Sequence, residues 1–250
     1  MKKTLLLLAL LPLAAFVSCN NSNTNTTQEE VCVFPNITEK GVEPFLIGSS
    51  LFDIPLKGAY YDTITLEKQI AIPMDEGLWI ITEEEYDEMM KNDPSNELSD
   101  VKVTMYANVK KNANTLLYLK CGKDANIEGI TVLSDNFKTD NGLHVGITSE
   151  ELISNYNAKT ECTYQHYGTG TILYNIPNFT NYIKFVANHS FTLLDGSCDW
   201  NGYNIESDTF IQDSIKDWAI GGILIHNKPI EKDYDIDSDL WDIVHLKSVD

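Results

Sequence analysis

Apolar and polar positions alternate along much of this chain, and in two places the period lengthens to that of a helix. Val101 to Val109 (VKVTMYANV), Thr115 to Cys121 (TLLYLKC) and Ile127 to Leu133 are rich in β-branched and aromatic residues, with Asn112 and Asn114 marking one turn. They predict an antiparallel meander. Thr160 to Tyr167, Gly170 to Ile176, Tyr182 to Ala187, Ser190 to Leu194 and Ala219 to His226 predict a second series of strands, joined at Gly168, Pro177 and Asn188-His189. Thr148, followed three residues later by Glu151, forms a capping box ahead of Leu152, Ile153 and Tyr156. Thr82 and Glu85 do the same for a helix running to Lys91, which carries Tyr86, Met89 and Met90 and ends at Asp93-Pro94. Strands outnumber helices, so the fold class is α+β, with short helices covering one face of each sheet.

The pattern repeats. Thr38-x-x-Gly41 leads into Phe45-Leu46-Ile47-Gly48-x-Ser50-x-x-x-Ile54, and Thr139-x-x-Gly142 leads into Leu143-His144-Val145-Gly146-x-Thr148-x-x-x-Leu152. Downstream, Ile127-x-Gly129-Ile130-x-Val132 matches Ile220-x-Gly222-Ile223-x-Ile225. The offsets, 98 from Gly48 to Gly146 and 93 from Ile127 to Ile220, fit one repeat unit. Two related halves follow, residues 31–133 and 134–228. The copies differ at one helix: Ser50 stands where Thr148 caps, but Pro55 drives Ile54 out of helical geometry, which leaves one turn or none.

The N-terminus reads as an export signal. Lys2 and Lys3 precede an apolar run from Leu5 to Val17, shorter than the ~18 residues a membrane span needs. Phe16-Val17-Ser18-Cys19 resembles the bacterial lipobox. That resemblance implies a signal peptide over residues 1–18, a diacylglycerol on Cys19 and attachment to the membrane through that lipid. Asn20 to Gln28 has neither an apolar nor a charged residue, so residues 19–30 read as anchor and flexible tether. Asn20 is not the aspartate that retains some lipoproteins at the inner membrane, which favours the outer one. Residues 229–250 read as an acidic tail in which Asp233, Asp235, Asp237 and Asp239 alternate and Leu240, Trp241, Ile243 and Val244 dock.

Charge narrows the partners. The formal net charge is −19, and every basic residue is lysine; without Lys2 and Lys3, 16 lysines stand against 37 acids. A strongly acidic chain with no arginine fork is a poor match for nucleic acid. Cys32, Cys121, Cys162 and Cys198 allow two disulfides in any of three connectivities, and no CxxC pair suggests a metal.

The order strand, Gly-x-[Ser/Thr], short helix and antiparallel meander behind a lipobox resembles small envelope lipoproteins of the BamE (OmlA/SmpA) type and the related β-lactamase-inhibitor-protein fold. The match runs well over Thr139 to Tyr156 and poorly over Thr38 to Ile54, where Pro55 interrupts the helix. An acidic insertion around Glu83 to Glu97 also departs from it. The resemblance implies a non-catalytic protein-binding or assembly role.

No nucleophile elbow, metalloprotease helix, Walker loop or dinucleotide fingerprint occurs. Cys162 and His166 would meet on a helix, but Glu161 to Tyr167 reads as strand, which sets them roughly 13 Å apart. Gly168-Thr169-Gly170 reads as a hairpin turn. Asp195-x-Ser197-x-Asp199-x-Asn201-Gly202 has the oxygen spacing of a calcium loop without its bidentate glutamate, and reads as a polar hairpin. Trp200 and Tyr203 beside Gly202 are candidates for stacking on a glycan, with Tyr60, Tyr61, Trp79 and Trp218 as further aromatics whose default is the core. The expectation is a lipid-anchored envelope protein without cofactor or metal that binds a protein partner. A glycan-binding lipoprotein and a hydrolase with a nonstandard site are the alternatives.

Overall fold

The computed structural model describes residues 33–74, 77–92, 101–122, 124–165, 169–180, 182–192 and 215–230, all within one compact unit, Cys32–Asp250. In chain order the elements are β1 (Gly41–Val42), β2 (Phe45–Leu46), a 3-10 turn (Leu51–Asp53), β3 (Thr63–Met74), β4 (Gly77–Thr82), α1 (Glu83–Asn92), β5 (Lys102–Lys111), β6 (Asn114–Cys121), β7 (Ile127–Val132), α2 (Ser149–Tyr156), β8 (Lys159–Gln165), β9 (Thr169–Asn175), β10 (Ile183–Thr192) and β11 (Ile220–His226). The fold is α+β. Among the described residues, β1 and β2 form a small ribbon, and the other strands form one antiparallel sheet in the order β4-β3-β5-β6-β7-β11-β10-β9-β8.

That order places both meanders in a single sheet. β5-β6-β7 runs inward from one side and β9-β10-β11 from the other, and the sheet closes where β7 pairs with β11. The hydrogen bonds around this junction recur at the spacing of the sequence repeat. Gly48 N donates to Ile127 O at 2.7 Å, and Gly146 N to Ile220 O at 2.8 Å. Leu51 N donates to Ala125 O at 2.9 Å, and Ser149 N to Trp218 O at 2.7 Å. Isolated bridges join Ser50 to Asn126 and Thr148 to Ala219. Gly48 (φ 84°) and Gly146 (φ 93°) both take the left-handed conformation that lets the chain turn onto the sheet end.

Strand alternation gives the sheet two faces. On one, Leu117, Leu119, Ile130, Val132, Tyr174, Phe185, Ile223 and Ile225 pack against the segments that carry Phe45, Leu51, Phe137, Leu143 and Leu152. This is the main core, and each fully buried side chain contributes about 1.5–3 kcal/mol. By alternation along β3, Ile70 and Ile72 lie on the same side as Ile64, which packs against that core, so α1 covers this face too. Tyr86 and Met89 of α1 rest on Ile70, Ile72 and Ile81. The opposite face carries a smaller cluster containing Tyr106, Tyr118, Leu173, Val186 and Leu224.

The helix signals hold in detail. Thr82 N donates to Glu85 Oε2 at 2.8 Å and Glu85 N to Thr82 Oγ1 at 3.2 Å, a reciprocal capping box. Glu151 N donates to Thr148 Oγ1 at 3.2 Å, and Asn157 ends α2 in the left-handed region. Ser50 makes no side-chain cap, and the first copy keeps one 3-10 turn.

Two strand readings change. Asn188-His189 is no joint: β10 runs unbroken from Ile183 to Thr192, with its register shifting between Val186 and Ser190. The shift is tolerated because Asn188 N donates to Ala219 O at 2.8 Å while Asn188 Oδ1 accepts from Ala219 N at 3.1 Å. Thr169 and Gly170 belong to β9, not to a turn, since they pair with Gln165 and Tyr164. The β3-β4 hairpin, which precedes α1, has no counterpart in the predicted strands.

Candidate functional site

Two surfaces carry the chemistry. On the second sheet face Tyr118, Thr131, Leu224 and Lys184 stand side by side on β6, β7, β11 and β10, because Tyr118 pairs with Thr131, Thr131 with Leu224, and Leu224 with Lys184. Tyr106 stacks on Tyr118 at 5.1 Å with an 18° interplanar angle. Lys184 is buried, and its amine donates to Asn175 Oδ1 and lies 3.3 Å from Glu161 Oε2. A buried ammonium requires such partners, because desolvation penalises the charged form otherwise.

Beside this row lies a small cavity lined by Tyr118, Lys120, Gly129, Thr131, Leu224 and His226. Gly129 makes room for it. A Cβ there would stand 3.1 Å from His226 Cδ2 and 3.5 Å from Lys120 Cβ, so a side chain at this position would require the imidazole to give by a few tenths of an ångström.

The second surface is the turn after β2. Leu51 and Ile54 are buried and anchor it, whereas Phe52 and Leu56 are each 72% exposed. The turn is tied down: Tyr61 Oη donates to Pro55 O at 2.7 Å and Gly58 N to Tyr61 O at 3.1 Å. Its apolar residues therefore face solvent from a fixed backbone. The sequence signal for them is faint, since Leu51, Phe52, Ile54 and Leu56 are all large and apolar and their residue types do not separate the buried pair from the exposed one.

The aromatics and cysteines singled out in the sequence take the following places. Tyr60 and Tyr61 are core residues, not stacking platforms; they pack with Phe34, Phe45 and Phe137, and Tyr60 Oη donates to Glu43 O at 2.6 Å. Burial raises both phenols. Trp218 is partly buried against the core. Cys121 is free and buried, with its thiol pushed up to about 11 by burial and by the nearby Glu128 carboxylate. A disulfide through Cys121 is thereby excluded. Cys162 lies on β8, where Glu161 to Gln165 is strand as read. Cys19, Cys32, His166, Asp195 to Gly202 with Trp200, Tyr203, Cys198 and the acidic run from Asp233 to Asp239 lie outside the described residues.

Among the described residues no group of three or more histidine, cysteine, aspartate or glutamate side chains is placed to hold a metal ion, and no helix is long and apolar enough to cross a membrane. The chain matches no protein-family model and no curated protein. Among solved structures it is similar to the crystal structure of the uncharacterized protein yfeY from Escherichia coli, at 15% sequence identity and a TM-score of 0.40, over 77% of this chain and 99% of that one. A likeness at that level leaves function to be argued from the residues themselves.

Proposed function

We propose that this chain is a lipid-anchored, non-catalytic envelope protein that acts by binding a protein partner. The observation that carries the reading is the turn at Phe52 and Leu56: two large apolar side chains, 72% exposed and four residues apart, on a backbone pinned by buried Leu51 and Ile54. An exposed apolar pair on a rigid turn is the kind of anchor that fills a pocket in a partner at low entropic cost. The anchor at Cys19 would confine the protein to the membrane surface, in the outer membrane on the reading of Asn20. The body is proposed to be a duplicated unit of residues 31–133 and 134–228. The recurring bonds from Gly48 and Gly146, and from Leu51 and Ser149, support that history. In the second copy Glu150 occupies the position of Phe52, which gives the first copy alone the contact.

The test is affinity capture from detergent-solubilised envelopes with the native chain and with Phe52→Ser/Leu56→Ser. A partner retained by the native chain and lost with the double variant is expected, with unchanged thermal unfolding. Equal capture by both chains would overturn the reading. The anchor is checked separately by labelled fatty-acid incorporation, expected in the native chain and absent in Cys19→Ala.

A further inference from the structure

The main-core face of the sheet is covered unevenly. Counting outward from Ile130 on β7 and Ile223 on β11, Leu119, Ala107 and Leu66 stand on one side where Phe185, Tyr174 and Thr160 stand on the other. α2 lies over Tyr174: its Ser149 hydroxyl meets Tyr174 Oη, and Leu152 and the neighbouring Ile172 are 0% exposed. The matching segment before β3 keeps only the 3-10 turn Leu51–Asp53, with Pro55 barring a longer helix. The cover is missing there. Met105, the counterpart of Ile172, is only partly buried, and Leu66 and Val103 are 53% and 52% exposed.

Leu66 pairs with Ala107, Lys68 with Met105 and Ile70 with Val103, so these side chains share one face. Leu66, Met105 and Val103 thus form an apolar strip with the main core at one end and α1 at the other. From Ile64, packed on the core, to Ile70, under α1, β3 covers about 20 Å, against the ~10 Å diameter of a helix. The α1 bank is acidic. Glu83 Oε1 holds Lys68 Nζ at 2.6 Å, Asp87 follows Glu83 one turn on, and Glu84, Glu85 and Glu88 add to them against Lys91 alone.

We propose that this strip seats an amphipathic helix of a partner protein, basic along the edge that faces α1. The helix takes the place over β3 and β5 that α2 takes over Tyr174, with apolar residues at i, i+3, i+4 and i+7 on Leu66, Met105 and Val103. Its lysines or arginines meet the carboxylates of α1, which a chain so short of basic residues leaves in excess. The inference rests on the reading that the chain binds a protein, but on residues other than Phe52 and Leu56, so either can fail without the other.

Selection of a displayed library of helical peptides, each about four turns or ~14 residues long, on the full chain tests it. The enriched peptides are expected to be amphipathic and rich in lysine or arginine, and to gain helical circular dichroism on binding. They should bind Leu66→Ser/Val103→Ser about tenfold or more weakly, and Phe52→Ser/Leu56→Ser as the native chain does. Both variants replace exposed side chains, so unchanged thermal unfolding is expected of each. Recovery of no peptide, of acidic or non-amphipathic peptides, or of peptides that bind Leu66→Ser/Val103→Ser as tightly as the native chain would overturn the proposal. Peptides lost with Phe52→Ser/Leu56→Ser but not with Leu66→Ser/Val103→Ser would put the seat at the turn and overturn it as well.

Discussion

Thr131 and Leu224 face each other across the junction of β7 and β11, and they are 93 positions apart, the same spacing that separates Ile127 from its sequence match Ile220. The flanking pairs obey the same rule. Ile130 lies opposite Ile225 and Val132 opposite Ile223, so exchanging each residue for its repeat partner returns the same two pairs. The register therefore has a local two-fold axis through Thr131 and Leu224.

Ile130 and Ile223 are exchanged by that axis and are 2% and 0% exposed. Truncating either to alanine should cost about 2–5 kcal/mol, the usual range for a buried isoleucine, and the two costs should agree to within about 1 kcal/mol. Urea unfolding of the two single variants measures this. A large disparity would show that the surroundings of the two strands are not equivalent.

Gly41 and Gly48 separate steric from conformational cost. Both have positive φ, 127° and 84°. At Gly48 a Cβ would meet nothing within 4 Å, so Gly48→Ala should lose only the backbone preference, about 1–2 kcal/mol. At Gly41 the same atom would lie 2.7 Å from Ile130 Cδ1 and would clash with the Phe45 carbonyl. Gly41→Ala should therefore be the more damaging, and thermal melting of both variants in parallel checks the order.

Ser149 is fully buried and holds two partners: its hydroxyl meets Tyr174 Oη at 2.5 Å and donates to Trp218 O at 3.0 Å. Ser149→Ala leaves the Tyr174 hydroxyl buried without that contact and should cost about 1–3 kcal/mol. The double variant Ser149→Ala/Tyr174→Phe should cost less than the sum of the two single changes, because removing both members leaves no stranded phenol. Equilibrium denaturation of the three chains gives the coupling.

Alkali should destabilise the fold through Cys121. Its thiol is pushed from the ordinary 9.0 to about 11, so between those values the unfolded chain has released the proton while the folded chain still holds it. The stabilisation is fully present below pH 9 and is lost as pH rises toward 11. Tyr174, raised by burial from 10.0 to about 12, extends the loss upward. Stability measured from pH 8 to 11 should fall less steeply in Cys121→Ala, whatever its starting value, and the native thiol should resist alkylation until the protein unfolds.

What could be read in advance followed how strongly each segment states its own preference. β6, β7 and β11 are dense in Leu, Ile and Val and emerge close to their predicted limits; Thr82 and Glu85 form the reciprocal capping box, and Thr148 caps α2 by accepting from Glu151 N. The β3-β4 hairpin was illegible because Glu67, Lys68 and Pro73 interrupt β3. Its exposed positions are free to be charged, and its order comes from the long ladder with β5. The bulge in β10 hid in the same way: Asn188 and His189 look like a turn, and only the bonds from Asn188 to Ala219 show that the strand continues. At the candidate site, Lys184 gave no signal, since a lone lysine in IKFVANHSFT implies solvent until Asn175 and Glu161 are brought beside it by β9 and β8. Tyr60 and Tyr61 have the core as their default reading, and their neighbours Phe34, Phe45 and Phe137 place them there.

The closure of the sheet by β7 against β11 has a consequence for any piece of this protein made alone. A fragment carrying only the first meander would end in an open β7 edge with Ile130 and Val132 exposed along it, and a fragment of the second would offer β11 with Ile223 and Ile225 in matching register. Each is self-complementary about the axis at its midpoint, so either fragment should pair with its own kind, and a mixture should rebuild the native seam. The intact chain is in that sense a dimer interface closed on itself, with the affinity replaced by a covalent connection.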